Sequence, residues 1–133
     1  MEAVILECGD FPKKEYPREL LRRADVIICC DRALDTFLRH RDKIFKDRRE
    51  PDAIIGDMDS ISPKHLKEYS RIAIREEEQE TNDQTKAFRY LLEHWPEVKT
   101  VHILGATGKR EAHTIGNLGQ IMEYARLYGA SGN

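Results

Sequence analysis

Disulfide chemistry is the first thing this sequence excludes. Its 133 residues hold three cysteines, Cys8, Cys29 and Cys30. An odd number, two of them adjacent and all set in apolar runs, makes no disulfide framework. They read as free, buried, small hydrophobes of a reducing cytoplasm. Long apolar runs are missing as well. No stretch approaches the roughly 20 apolar residues of a membrane span. The opening EAVILECGD lacks both the cationic start and the length of a secretory signal. An excess of one charge is also missing. With 22 basic against 24 acidic residues, interspersed, the net charge is -2, which argues against a general nucleic-acid or membrane-surface binder. The short basic run KDRRE, Lys46 to Glu50, fits a solvated loop better than an anion site. There is no internal repeat, no low-complexity segment and no Ser-His-Asp constellation. His40, His65, His94 and His102 show no metal-ligand spacing.

What is present is enough for one domain with its own core. Short apolar runs alternate with helical patterns. The runs Ala3–Cys8, Asp25–Cys30, Asp52–Gly56, Arg71–Ile74 and Thr100–Gly105 are nearly continuous rather than alternating, as strands covered on both faces are. Between them, helices are expected over Arg18–Arg23, Ala33–Arg41, Pro63–Tyr69, Asp83–Trp95 and Ile115–Tyr128. Ser62 is placed as the N-cap of the third, with Pro63 at its first position. Leu34, Phe37 and Leu38 share one face of the second; Ala87, Phe88, Leu91 and Leu92 share one face of the fourth. Strand and helix in alternation predict a three-layer α/β/α, Rossmann-like domain. Its sheet is expected to be mostly parallel, with about five to six strands.

In such a sheet, ligands gather at the carboxyl ends of the strands. Four suspicious segments follow strands here: CDRALD (30–35), GDMDS (56–60), EEEQETNDQTK (76–86) and GATGKREAHT (105–114). In an extended segment residues two apart point the same way, so Asp57 and Asp59 are expected on one side with Met58 turned away. Two carboxylates side by side repel unless a cation lies between them. Mg²⁺ is the natural choice, a hard cation that takes one or two protein carboxylates together with substrate phosphates. Asp83, at a helix start, offers a third carboxylate, and Lys86 lies three residues on, on the same face. The same aspartates also fit a helix cap and a turn. Gly105 and Gly108 let backbone amides approach an anion, with Lys109 and Arg110 adding charge; the Walker A spacing is absent. An ordinary turn fits these residues equally. Gln79 is within reach of a ligand, and His113 and Thr114 are expected at the start of the last helix, His113 as a ligand contact or a cap.

Taken in order, these segments resemble the catalytic domain of thiamin pyrophosphokinase. The likeness rests on GDMDS and on QETNDQTK, with CDRALD and GATGKREAHT as looser matches, and it spans nearly all of residues 1–133. It implies transfer of pyrophosphate from ATP to the hydroxyl of thiamin, with release of AMP, by a homodimer. It implies Asp57, Asp59 and Asp83 as ligands of Mg²⁺ and of the triphosphate, and Lys86 and Ser60 on the phosphate side. It sets Asp31 and Arg32 at the nucleotide loop, and Gln79, Arg110 and His113 toward thiamin. Three departures stand out. The glycines usual after the second strand are replaced by Arg32 and Ala33. Ala112 stands where the family usually has an aspartate. The family's C-terminal β-sandwich domain is expected to be absent from this chain. Two other readings compete: a non-catalytic nucleotide-binding or dimerisation domain, and a haloacid-dehalogenase-like phosphatase with Asp57 as nucleophile.

Overall fold

Strand β1 (Glu2–Leu6) sends alternate side chains into two separate cores. Ala3 and Ile5 pack on one face of the sheet with Phe88 and Leu91; Val4 and Leu6 pack on the other with Leu20, Leu21, Leu34 and Phe37. That division is the period-two geometry of a strand buried on both faces. The computed structural model describes residues 1–9, 11–75, 83–105 and 112–115; of residues 83, 112, 113 and 115 it describes the backbone alone.

After β1 come α1 (Glu15–Arg23), β2 (Val26–Cys30), α2 (Ala33–Ile44), β3 (Ala53–Gly56), α3 (Pro63–Glu68), β4 (Ala73–Arg75), α4 (Asp83–His94), β5 (Thr100–Leu104) and β6 (Ala112–Ile115). The sheet order is β4-β3-β2-β1-β5-β6. Five strands run parallel, and β6 pairs antiparallel with β5, Leu104 opposite Ala112. This is the expected α/β architecture. Helices α1 and α2 cover the core that holds Leu20 and Phe37, and α4 covers the one that holds Phe88. Phe37 and Phe88 are fully buried, each stabilising the fold by roughly 2–3 kcal/mol through burial.

The helix α1 begins at Glu15, ahead of the expected Arg18, because Pro17 fits a first turn where no N–H is needed. Cys29 and Cys30 are buried, but Cys8 is exposed. Strand β1 ends at Leu6, so the chain has left the core by residue 8. The helix expected from Ile115 is also corrected at its start. Residues 112–115 form β6, because the β5 edge offers a ladder to any extended segment laid against it. Residues 116–128 of that expected helix lie outside the described residues.

The run Lys46–Glu50 is a tied loop. Arg49 donates to the carbonyls of Ala24 and Asp25 and to Asp52, and Arg48 pairs with Glu50 at 2.8 Å. A buried histidine links the far side of the sheet. His102, 2% exposed, meets Glu2 Oε1 through Nε2 and Thr114 Oγ1 through Nδ1, both at 2.8 Å. The carboxylate assigns the proton to Nε2. The hydrogen bond from His102 holds the Glu2 carboxyl below its ordinary range, with Arg23 adding to it against partial burial.

Candidate functional site

The chain grows from β1 through β2 and β3 to β4 on one side, then crosses back to place β5 on the other side of β1. Such a reversal opens a crevice beyond the carboxyl ends of the strands. The segments after β1 and β5 stay together there. Glu7 N donates to the Leu104 carbonyl and Gly9 N to that of Gly105, both at 2.8 Å.

The ends of β2 and β3 carry three unusual backbone conformations in close succession. Asp31 has φ 52, Gly56 φ 150 and Met58 φ 72. Asp31 N donates to the Ile55 carbonyl at 2.8 Å, which carries the β2–β3 ladder one residue past the strand. A Cβ on Gly56 would lie 3.2 Å from both Cβ and Cγ of Asp31. Glycine is therefore required twice at that position, by its dihedral and by its neighbour. Arg32, in contrast, is right-handed at φ -66. The left-handed residue of this loop is Asp31, a type that tolerates it, so Arg32 and Ala33 cause no backbone strain.

Met58 is the key to the acidic segment. A left-handed methionine is uncommon and costs of order 1 kcal/mol. Its side chain, 4% exposed, is buried in the core beneath α2 with Ile61 and Tyr69. The expectation that Met58 turns away from the aspartates agrees with this burial; the expected extended geometry does not. Residues 57–59 form a tight turn, because Asp59 N donates to Asp57 Oδ1 at 3.0 Å. Asp57 is half-buried, and Asp59 and Ser60 are exposed. Two anchors hold the turn. Arg75 Nη1 donates to the Asp57 carbonyl at 2.8 Å. Asp35, in the first turn of α2, accepts from Ser62 N at 3.0 Å and pairs with His65 of α3. Ser62 does occupy the N-cap position of α3, with Pro63 at the helix start, but its side chain makes no capping bond.

The first turn of α4 lies on the other face of the sheet. Gln84, Thr85 and Lys86 are 6%, 7% and 8% exposed, three polar side chains in a row nearly removed from water. Gln84 Nε2 donates to Glu7 Oε2 at 2.8 Å, tying α4 to the switch-point strand across 77 residues. Glu7 and Arg75 belong to this rim although no sequence motif marked them, and Gln84 belongs to it from within QETNDQTK, where it was not singled out. Glu7 was legible as a charge directly after an apolar strand; Arg75 was hidden by placing the fourth strand at 71–74 instead of Ala73–Arg75.

Of the residues singled out from sequence, Asp31, Arg32, Asp57, Asp59, Ser60 and Gly105 lie along the carboxyl rim, and Lys86 lies in the first turn of α4. Gln79, Gly108, Lys109 and Arg110 lie outside the described residues, as do the side chains of Asp83 and His113. The backbone of His113 sits in β6 opposite Ile103, not at a helix start. Among the described residues, no three His, Cys, Asp or Glu side chains form a metal-binding group. Two carboxylates on one turn suit a cation such as Mg²⁺, which completes its shell with water and substrate oxygens. A cleft of about 460 Å³ opens elsewhere, at the amino-terminal ends of β3 and β4, among Arg48, Glu50, Tyr69 and Arg71. There Glu50 pairs with both Arg48 and Arg41, and Arg48 also faces Glu68. It lies at the opposite end of β3 from the acidic turn. Among the described residues no helix is long and apolar enough to cross a membrane.

The chain is similar in fold to several solved structures. Thiamin pyrophosphokinase from Candida albicans superposes with a TM-score of 0.62 at 18% identity, covering 95% of this chain and 52% of that one. A probable thiamine pyrophosphokinase from Staphylococcus saprophyticus gives 0.58 at 22%, covering 96% and 56%. A protein from Lactobacillus plantarum gives 0.56 at 21%, covering 95% and 53%. This chain therefore spans about half the length of each. No curated protein matches it. The family model described as "Thiamin pyrophosphokinase, catalytic domain" matches residues 17–128, a span that takes in the acidic turn, Arg75 and the start of α4. The chain belongs to the thiamin pyrophosphokinase catalytic-domain family.

Proposed function

We propose that this chain carries out Mg²⁺-dependent transfer of pyrophosphate from ATP to thiamin, giving thiamin diphosphate and AMP. The observation that carries this reading is the Asp57–Met58–Asp59 turn. It is a strained, anchored acidic turn at the carboxyl rim of a parallel sheet, in a chain of this family. Backbone strain at a rim persists only where the surroundings impose it, and it concentrates at functional sites.

Asp57 and Asp59 hold the metal, and Asp83 is the expected third ligand. Bound Mg²⁺ neutralises the triphosphate and the charge that develops on the leaving group. Lys86, nearly buried in the first turn of α4, supplies a fixed point charge toward phosphate. Asp31 and Arg32 are the proposed nucleotide-side contacts, and Gly105, Gly108, Lys109 and Arg110 are the proposed phosphate contacts. Gln79, Arg110 and His113 are the proposed thiamin contacts. The thiamin hydroxyl oxygen forms a bond to the β-phosphorus, the bond from that phosphorus to the α,β-bridging oxygen breaks, and AMP departs with the electron pair. The hydroxyl proton leaves to solvent, with no side chain assigned to it. Catalysis is then positioning and charge neutralisation, with no covalent enzyme intermediate.

A homodimer in the cytoplasm completes the proposal; light scattering of the purified chain tests its first half. The chemistry is tested by chromatography of the chain with Mg·ATP, with and without thiamin. AMP that appears only with thiamin, and that falls by at least about a hundredfold in Asp57→Asn, supports the reading. Equal AMP formation by Asp57→Asn would sink it.

A further inference from the structure

We infer that Gln84 is a positioning residue of the metal site: its bond to Glu7 fixes the first turn of α4, and with it Asp83, against the carboxyl end of β1. This rests on the pyrophosphokinase reading above, in which Asp83 is the expected third metal ligand. Helix α4 begins at Asp83, so Gln84 is its immediate neighbour. Gln84 is 6% exposed, and its Nε2 donates to Glu7 Oε2 at 2.8 Å. The acceptor is itself firmly mounted. Glu7 N donates to the Leu104 carbonyl and Gly9 N to the Gly105 carbonyl, so the β1–β5 ladder runs on past both strands and carries Glu7 with it.

This polar pair is not what docks the helix. Ala87, Phe88 and Leu91 are buried in one core with Ile5, Val26 and Ile55. Such burial is strong but non-directional, so it leaves the roll of the helix about its axis weakly defined. A buried amide is different. It needs a partner, and only one roll of the helix brings it to a fixed acceptor. Side chains end about 5 Å from a helix axis, so a roll of about 10° moves them by about 0.9 Å. The groups of a working site have to be held to within about 0.5 Å. A directional bond one residue from Asp83 supplies that tolerance; apolar packing further along α4 does not.

The probe is manganese tripolyphosphate, its binding followed by the electron paramagnetic resonance of Mn²⁺ well below the unfolding midpoint. Gln84→Met keeps the bulk of the side chain and removes the donor. It is expected to bind the probe about 10- to 100-fold more weakly, as when a partner that orients a metal ligand is lost. Gln84→Glu sets two carboxylates against each other and should be as weak. The swapped pair, Glu7→Gln with Gln84→Glu, rebuilds the bond with its polarity reversed and should recover most of the affinity. Wild-type affinity in Gln84→Met overturns the assignment. So does a loss that the swapped pair does not recover, which would make Gln84 a direct contact or a packing residue. Gln84→Glu alone matching the swapped pair also overturns it, since charge and not the bond would then be at work. If Gln84→Met lowers the unfolding midpoint, the swapped pair decides in the same way. The bond is also read without any ligand: the Gln84 side-chain amide protons should exchange slowly with deuterium oxide by nuclear magnetic resonance. Fast exchange overturns the assignment and leaves the parent reading standing. A wild-type chain that binds no manganese tripolyphosphate overturns the parent reading, and the assignment with it.

Discussion

Replacing Gly56 with alanine tests how the acidic turn is built. Two costs add. A side chain at φ 150 occupies backbone space that is almost reserved for glycine, at about 1–3 kcal/mol. The new methyl also meets Cβ and Cγ of Asp31 at 3.2 Å, and Asp31 is pinned by its own bond to the Ile55 carbonyl. Relief of that contact costs about 1 kcal/mol. Together they predict about 2–4 kcal/mol, a large part of the 5–15 kcal/mol that holds a domain together. At about 4 °C per kcal/mol for a chain of this size, the midpoint of thermal unfolding falls by about 8–16 °C. The two costs separate in a double-mutant cycle. Asp31→Gly removes the atoms that the methyl would meet and leaves the dihedral cost in place. Gly56→Ala should therefore cost about 1 kcal/mol less in the Asp31→Gly background. The assay is urea unfolding of all four chains, followed by circular dichroism. An unchanged midpoint for Gly56→Ala refutes the strained-turn reasoning. An equal penalty in both backgrounds refutes the contact with Asp31.

Other outcomes follow from particular residues. A maleimide should label the native chain once, at Cys8, and the denatured chain three times. Burial, helped by the Asp52 charge, pushes the Cys29 thiol up, and only Cys8 is exposed; mass spectrometry counts the adducts. Because its bond to His102 lowers the carboxyl pKa in the folded state, Glu2 contributes stability that is present above pH 4.5 and lost as pH falls through its depressed value. Denaturant titrations from pH 7 to pH 3 should then show Glu2→Gln destabilised at neutral pH, with the difference from wild type shrinking below pH 4.5; a constant difference refutes the linkage. Phe37→Ala should lose about 3–5 kcal/mol, as large-to-small core changes do. A loss below about 1 kcal/mol would show that α2 does not pack as described.

The parallel strands were legible because each is a short, nearly continuous apolar run, and runs such as VIICC suit only a doubly covered strand. The acidic segment was legible because two aspartates directly follow such a run. What stayed hidden depends on partners distant in sequence. Residues 112–115 become β6 only because β5 lies beside them, and AHTI alone favours neither helix nor strand. The left-handed Met58 has no signature either, since methionine announces no turn; its burial among Ile54, Ile61 and Tyr69 imposes the conformation. The Glu7–Gln84 bond joins residues 77 apart, and only the crossover from β4 to β5 brings them together.

The most direct test of the account follows the label from ATP carrying ³²P at the γ position, incubated with the chain, Mg²⁺ and thiamin. The account predicts that label appears in thiamin diphosphate, in step with unlabelled AMP, and that both vanish in Asp57→Asn. Label released as inorganic phosphate with ADP, or passed to thiamin singly without AMP, would contradict it.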